Sequence, residues 1–359
     1  MARMTLGATC LLACVLLAAG CTGQSPDGRP SSGTRGSVQI GVDFHGTWDN
    51  ITMAQRHELL AKLAGVGIKQ LRVEIPWSLV QALPPAQPGQ PPSGAGVDLV
   101  DQVMKMAHDD GFQILVVTGR SPEWANGGRP LTSMPTDLSA FTAYVTWLAT
   151  RYGAMVDAWE VWNEPDGKAG DFAQPAQYAK ILCTAASALR SVDPTSSVVF
   201  GGTAGQDWQW ISAVYDHGAR SCFDVMATHA YNRGRPPAYS PMDGAKPWNA
   251  SVEQVRRVMV ENGDKDKPLW FTEAGWSTSM GEPDLPKGWS GVSLSEQAAY
   301  TDQFVHDVEA KYPYVRRIYL YDARDERRGG SLSRNFGLFT YDLQPKPVVF
   351  MLKKLLGTT

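Results

Sequence analysis

Histidine is scarce in this chain, 6 in 359 residues, and cysteine is scarcer, with 5. The histidines are scattered. The one that precedes a glutamate, in His57-Glu58, runs on into Leu59-Leu60-Ala61 and never reaches the second histidine of a zinc-protease helix. No Gly-x-Ser-x-Gly elbow offers a serine nucleophile. No Gly-x-Gly-x-x-Gly follows the first strand-like run, which argues against an open dinucleotide-binding sheet. Neither a metal nor a cofactor is expected. Charge of one sign is missing too: 33 Lys and Arg against 36 Asp and Glu leave a formal net charge of -3. The arginine pairs at 256–257, 316–317 and 327–328 lie far apart and read as solvated faces, so no nucleic-acid track is expected.

The N terminus stands apart. Arg3 precedes a short apolar run, Leu11-Leu12-Ala13-Cys14-Val15-Leu16-Leu17, that ends in Ala18-Ala19-Gly20-Cys21. That run is too short for a stop-transfer helix, and small residues before a cut site read as a secretory signal. Ala-Ala-Gly-Cys resembles a bacterial lipobox, with alanine where leucine is commoner. Residues 1–21 are therefore read as a lipoprotein signal peptide with Cys21 lipidated; the alternative is a plain secretory signal. Residues 22–37 (TGQSPDGRPSSGTRGS) carry Gly, Ser and Pro without apolar period, the composition of a tether. An exported lipoprotein at a bacterial cell surface is expected, its membrane contact made through the lipid alone. Cys10 and Cys14 leave with the signal. Cys183 and Cys222 remain, and either one disulfide or two buried thiols fits.

From Val38 onward apolar strand-like runs alternate with helical ones, a single catalytic domain over 38–359. Strands read as 38–45, 68–76, 112–118, 156–164, 196–202, 223–229, 267–273 and 315–322. Helices lie near 51–66, 97–110, 137–152, 174–191, 208–219, 250–263, 294–311 and 345–356. Leu138, Phe141, Tyr144, Val145 and Leu148 recur at helical spacing. Asp137, Ser251 and Ser293 suit helix starts, and glycines at 67, 111, 153 and 263 suit helix ends. Strands alternating with helices in this number predict an α/β fold, a single (β/α)8 TIM barrel.

Two of those strands end alike. Asp157-Ala158-Trp159-Glu160-Val161-Trp162-Asn163-Glu164-Pro165 carries a carboxylate to a proline stop, and Pro268-Leu269-Trp270-Phe271-Thr272-Glu273-Ala274-Gly275-Trp276 ends in another. Strand alternation would put Glu160, Trp162 and Glu164 on one face. In a barrel the tips of strands four and seven share the C-terminal rim, so Glu164 and Glu273 face one cleft. Glycosidic cleavage uses such a pair, one acid protonating the leaving oxygen and the other attacking or activating water. Trp48, Trp77, Trp124, Trp162, Trp208, Trp210, Trp248, Trp276 and Trp289 fall just after strand ends, where indole faces can stack on sugar rings. Trp147 and Trp270 read as core.

On the Trp-Asn-Glu-Pro motif and the second strand-end glutamate, residues 38–356 resemble the clan A glycoside hydrolases. The likeness is nearest to family 39 and its exopolysaccharide-degrading and cellulase-like bacterial relatives. The resemblance implies a retaining O-glycosyl hydrolase acting on β-linked glycans. It implies Glu164 as acid/base and Glu273 as nucleophile, with Asn163 on the sugar 2-hydroxyl. It further implies Arg72 near the nucleophile and the pair His229 and Tyr231, the tyrosine bonding Glu273. For the acid role, apolar and like-charged surroundings are expected to raise the pKa of Glu164. Where relatives place a tryptophan after strand eight, this chain has Tyr321-Asp322. Arg324, Arg327 and Arg328 follow, readable as a solvated loop or as a subsite for an acidic sugar. His45, Trp77, Trp124, Trp276 and Tyr321 are further candidates for substrate contact, while Glu74 and Glu160 read as paired structural carboxylates. Loops 81–96 and 233–249 are expected to wall the cleft, and a monomer is expected. A non-catalytic glycan-binding lipoprotein and a transglycosylase using the same site stay open as alternatives.

Overall fold

The computed structural model describes residues 37–87, 89–167, 173–238, 248–327 and 330–358. The signal, the tether as far as residue 36, Cys21, Arg328 and most of the second cleft loop therefore lie outside the described residues.

The helix starts follow from side-chain chemistry. Thr52 and Ser293 each accept from the backbone three residues on, while Gln55 and Glu296 reach back, so Met53–Val66 and Leu294–Lys311 both open on capping boxes. Asp137 caps Leu138–Tyr152. Ser251 is different. It lies inside the helix Trp248–Glu261, because the apolar stripe that packs on the barrel already begins at Trp248. Gly67 ends the first helix at φ 95°, a left-handed conformation that a side chain disfavours.

The strands are β1 Gln39–Asp43, β2 Gln70–Pro76, β3 Gln113–Gly119, β4 Ala158–Val161, β5 Val198–Phe200, β6 Met226–His229, β7 Leu269–Ala274 and β8 Val315–Leu320. All pair in parallel, in the order β5-β4-β3-β2-β1-β8-β7-β6. Parallel bridges Val199–Val225 and Thr203–Thr228 join the two ends of that order and close the barrel. Among the described residues no helix is long and apolar enough to cross a membrane.

The barrel interior changes character along its axis. Its lower layer is apolar: Leu115, Ala158, Val199, Val225, Ala227, Trp270 and Tyr319. Tyr319 fits because residue 41 is glycine, where a Cβ would stand 2.7 Å from the tyrosine ring. Above that layer Asp43, Arg72, Thr118, Glu160 and Thr272 are all buried. Burying charge is costly without partners, so this upper layer has to be a paired network. Outside the barrel, Cys183 on the helix Pro175–Val192 is bonded to Cys222, which resolves the open choice in favour of the disulfide. Closing a loop with a sequence separation of 39 is worth roughly 3–4 kcal/mol on the chain-entropy account.

Candidate active site

The β4 strand ends at Val161, three residues before Glu164, and the strand alternation ends with it. Trp162 and Glu164 take left-handed φ of 74° and 45°, a costly backbone for residues with side chains. Two bonds hold the turn: Trp162 N donates to Thr118 O and Glu164 N to Gly202 O, both at 2.9 Å. The consequence corrects the expected face-sharing. Trp162 swings out to pack by Phe141, while Asn163 and Glu164 both line the cavity at the barrel mouth.

Arg72, 5% exposed, is the hub beneath that cavity. Its Nε donates to Glu160 Oε2 at 2.7 Å and one terminal nitrogen to Glu160 Oε1 at 3.3 Å and Asn163 Oδ1 at 2.6 Å. The other donates to Asp43 Oδ1 at 2.7 Å and Glu273 Oε1 at 2.9 Å. Guanidinium has only donors, so Asn163 must turn its oxygen to Arg72, leaving its NH2 as the group available to a ligand. Glu160 also accepts from Gly202 N at 2.9 Å and Thr272 Oγ1 at 3.0 Å. It is paired, as expected of a structural carboxylate.

Glu273 accepts from Tyr231 OH at 2.7 Å on its second oxygen. His229 Nδ1 lies 3.1 Å from Glu164 Oε1 and 3.5 Å from Glu273 Oε2. One ligand atom from each of these three side chains falls within 4.8 Å of the others. Gly202 makes room for the imidazole, since a Cβ there would sit 2.4 Å from His229 Nε2. His45, Asp322 and Glu326 form a second such trio, but Arg324 is paired with Glu326 as Arg72 is with Glu273.

Electrostatics departs from the expectation at Glu164. Burial acts to raise its pKa, but the hydrogen bond and charge of His229 outweigh burial and bring it below the ordinary value. On His229 burial opposes charge, yet Glu273 and Glu164 outweigh it and push its pKa up to about 9. Asp43, fully enclosed, rises to about 7 through burial, opposed by Arg72.

The cavity, about 280 Å³, is also lined by His45, Trp48, Tyr231, Trp289, Tyr321 and Phe336. His45 stacks on Trp48 at 3.9 Å with its Nδ1 3.4 Å from Asp322. Tyr321 sits there as expected. Three tryptophan candidates do not. Trp77 is fully buried and stacked on Tyr144, Trp276 is buried with its Nε1 on Arg235 O, and Trp124 edges onto Trp77 with its Nε1 on Gln81 O. Trp77 and Trp276 belong to the core, where an indole buries more apolar area than at the mouth, and the half-buried Trp124 packs against that core. The acidic-sugar reading fails for Arg324, which is 2% exposed and paired with Glu326, while Arg327 is exposed and lies over the Tyr341 ring. Glu74 is ion-paired, to Arg120 at 2.7 Å, but it lines the cleft. Sequence reasoning missed Asp43 and Arg120, although both stand at strand ends. Phe336 comes from a loop that carried no signal.

A model of the cellulase family, glycosyl hydrolase family 5, matches residues 30–305. No curated protein sequence matches. Among solved structures, the chain is similar to a family 39 glycoside hydrolase from Bacteroides cellulosilyticus (TM-score 0.70, 21% identity, 90% of this chain and 64% of that one). It is also similar to a monomeric β-xylosidase from Caulobacter crescentus (0.65, 22%, 89% and 67%). A third is a family 5 enzyme from Streptomyces cattleya in complex with GlcNAc (0.67, 17%, 89% and 80%). At these identities the structures establish the shared fold, and this chain spans less than two thirds of the Bacteroides enzyme. The clan A expectation thus stands, with the family 39 likeness carried by the fold and the family assignment by the sequence match over most of the chain. The chain belongs to the cellulase family, glycosyl hydrolase family 5.

Proposed function

We propose that the protein is a retaining O-glycosyl hydrolase that cleaves β-glycosidic bonds of a poly- or oligosaccharide, with Glu164 as general acid/base and Glu273 as nucleophile. The observation that carries this reading is the approach of both carboxylates to one imidazole, all within 4.8 Å. Retaining enzymes hold their acids roughly 5–5.5 Å apart, whereas inverting ones leave about 6.5–9.5 Å for a water. Arg72 and Tyr231 orient the two oxygens of Glu273, and the free NH2 of Asn163 suits the sugar 2-hydroxyl.

In the first displacement a Glu273 oxygen bonds to the anomeric carbon while Glu164 passes a proton to the departing oxygen. Water then takes the vacated side, Glu164 accepts its proton, and the hydroxyl displaces Glu273 as carboxylate. Two inversions give retention. The test is the first-formed product anomer, read by proton NMR before mutarotation. The β anomer is expected, and the α anomer would sink the assignment.

His229 explains how an acid with a lowered pKa still delivers a proton. The His229–Glu164 pair holds one proton at neutral pH, resting on the imidazole. As Glu273 bonds to the sugar its charge disappears, the imidazolium loses that support, and the proton passes through Glu164 to the leaving oxygen. The pair keeps the proton below about 9 and loses it above. On the alkaline side kcat/KM is therefore expected to fall as pH rises past about 9. His229→Asn should pull that limb down by about two pH units, towards an isolated carboxyl. An alkaline limb unmoved in the variant would remove His229 from the proton path.

We also infer a monomer, exported and held at a membrane by lipid on Cys21. Detergent phase partitioning checks the anchor: the protein should enter the detergent phase and Cys21→Ser should not. Wild-type protein found in the aqueous phase would favour a plain secretory signal.

A further inference from the structure

A second hollow, about 740 Å³, opens over the ends of β1, β2 and β3 and shares Trp48, Glu74 and Arg120 with the catalytic cavity. The proposed chemistry uses neither Glu74 nor Arg120. Yet both are built with care. Arg120 is the first residue past β3, held at φ 53° with its carbonyl accepting from Ser78 N at 3.0 Å. Its Nε donates to Glu74 Oε1 at 2.7 Å, and the two side chains are 39% and 14% exposed. A left-handed non-glycine residue at a strand tip is costly and tends to persist where it serves a site. Glu74 and Arg120 line the same cavity as Glu164 and Glu273, so the pair faces the space where the bond to be cleaved would lie.

A guanidinium carries five donors and a carboxylate two acceptor oxygens, so one mutual bond leaves the pair able to donate and accept. Sugar hydroxyls need both. The pair itself is formally neutral, and the other ionisable residues lining the second hollow are Asp49 and Glu123. In the catalytic cavity Asp43 adds a further acid. A uronate would thus meet carboxylates, with both guanidiniums of that cavity, Arg72 and Arg120, already bonded to acids.

We propose that the Glu74–Arg120 pair is a specificity element that reads the hydroxyls of the sugar next to the one cleaved, so that the site takes an uncharged glycan of two or more sugars. This rests on the hydrolase reading above, but binding tests it separately from turnover. Glu273→Gln protein would be titrated calorimetrically with the mono- and tetrasaccharides of β-1,4-linked glucose, xylose and mannose, and with tetragalacturonate. At least one neutral tetrasaccharide should bind about tenfold or more tightly than its monosaccharide, the scale of one charge-assisted hydrogen bond. Arg120→Lys and Glu74→Gln, each added to Glu273→Gln, should cut that length preference by about fivefold or more. A purely structural pair would lower Tm and leave the preference intact. The proposal is overturned if both variants keep the preference, if tetragalacturonate binds more tightly than every neutral probe, or if no neutral probe binds. Absence of turnover in a wild-type protein that still binds glycans would instead overturn the hydrolase reading, and a length preference lost in both variants would then assign the pair to glycan binding alone.

Discussion

Glu273→Gln is expected to lower turnover of an unactivated glycan on the order of 10⁴-fold or more, the scale of losing a covalent nucleophile. The change is nearly isosteric: the amide oxygen can still receive Arg72, and the NH2 can donate to the Tyr231 hydroxyl, which accepts as well as donates, so the fold should hold. Glu164→Gln separates the two roles. It removes the proton donor, worth about 10²–10⁴-fold on a poor leaving group, but matters little when the leaving group is a dinitrophenolate that needs no proton. With that substrate Glu164→Gln should release one equivalent of phenolate in a burst and then stall, because no base activates the water. Intact-protein mass spectrometry would find the glycosyl ester, and peptide mapping should locate it on Glu273. Reducing ends released equally by wild type and Glu273→Gln would refute the nucleophile assignment, and with no release from either the non-catalytic glycan-binding reading would lead.

Arg72→Met is expected to be the most damaging substitution for the fold. Four side chains draw on that guanidinium: Asp43, Glu160, Asn163 and Glu273. Without it two or more carboxylates stand buried and uncompensated, a change that costs about 3–5 kcal/mol when a buried ion pair loses one partner. At roughly 2 °C per kcal/mol for a chain of this size, Tm should drop by about 6–10 °C. Activity should vanish with it, since Glu273 and Asn163 lose their orientation. Calorimetric unfolding with Arg72→Lys alongside decides whether charge or geometry matters. Lysine keeps the charge but cannot fork between four partners, so it should recover part of the stability and little activity. A Tm within about 2 °C of wild type for Arg72→Met would show the network to be less enclosed than its burial implies.

The site was unevenly legible beforehand. Glu164 and Glu273 could be found because each closes an apolar strand, and topology sends strand tips four and seven to the same rim. Arg72, His229 and Tyr231 came with the family resemblance, and the structure brings all three onto the two acids. The tryptophans misled. Trp77, Trp124 and Trp276 follow strand ends just as Trp48 and Trp289 do, but sequence position does not tell whether an indole turns over the mouth or down between strand and helix. The raised pKa expected of Glu164 failed for a related reason: its neighbour across 65 residues, His229, is a contact no local pattern encodes. Arg324 looked available to a ligand and is instead buried against Tyr341 and Glu326.

By itself the sequence determined the barrel, the two strand-end acids and the paired status of Glu160. Those follow from periodicity, from where an apolar run stops, and from the rule that buried charge needs a partner. Only the tertiary structure decided which aromatics face a ligand, who shares a proton with Glu164, and that Glu74 and Arg120 meet at the seam of two hollows. Each of these depends on side chains from different strands converging at one end of a closed barrel, a distance set by packing and invisible along the chain.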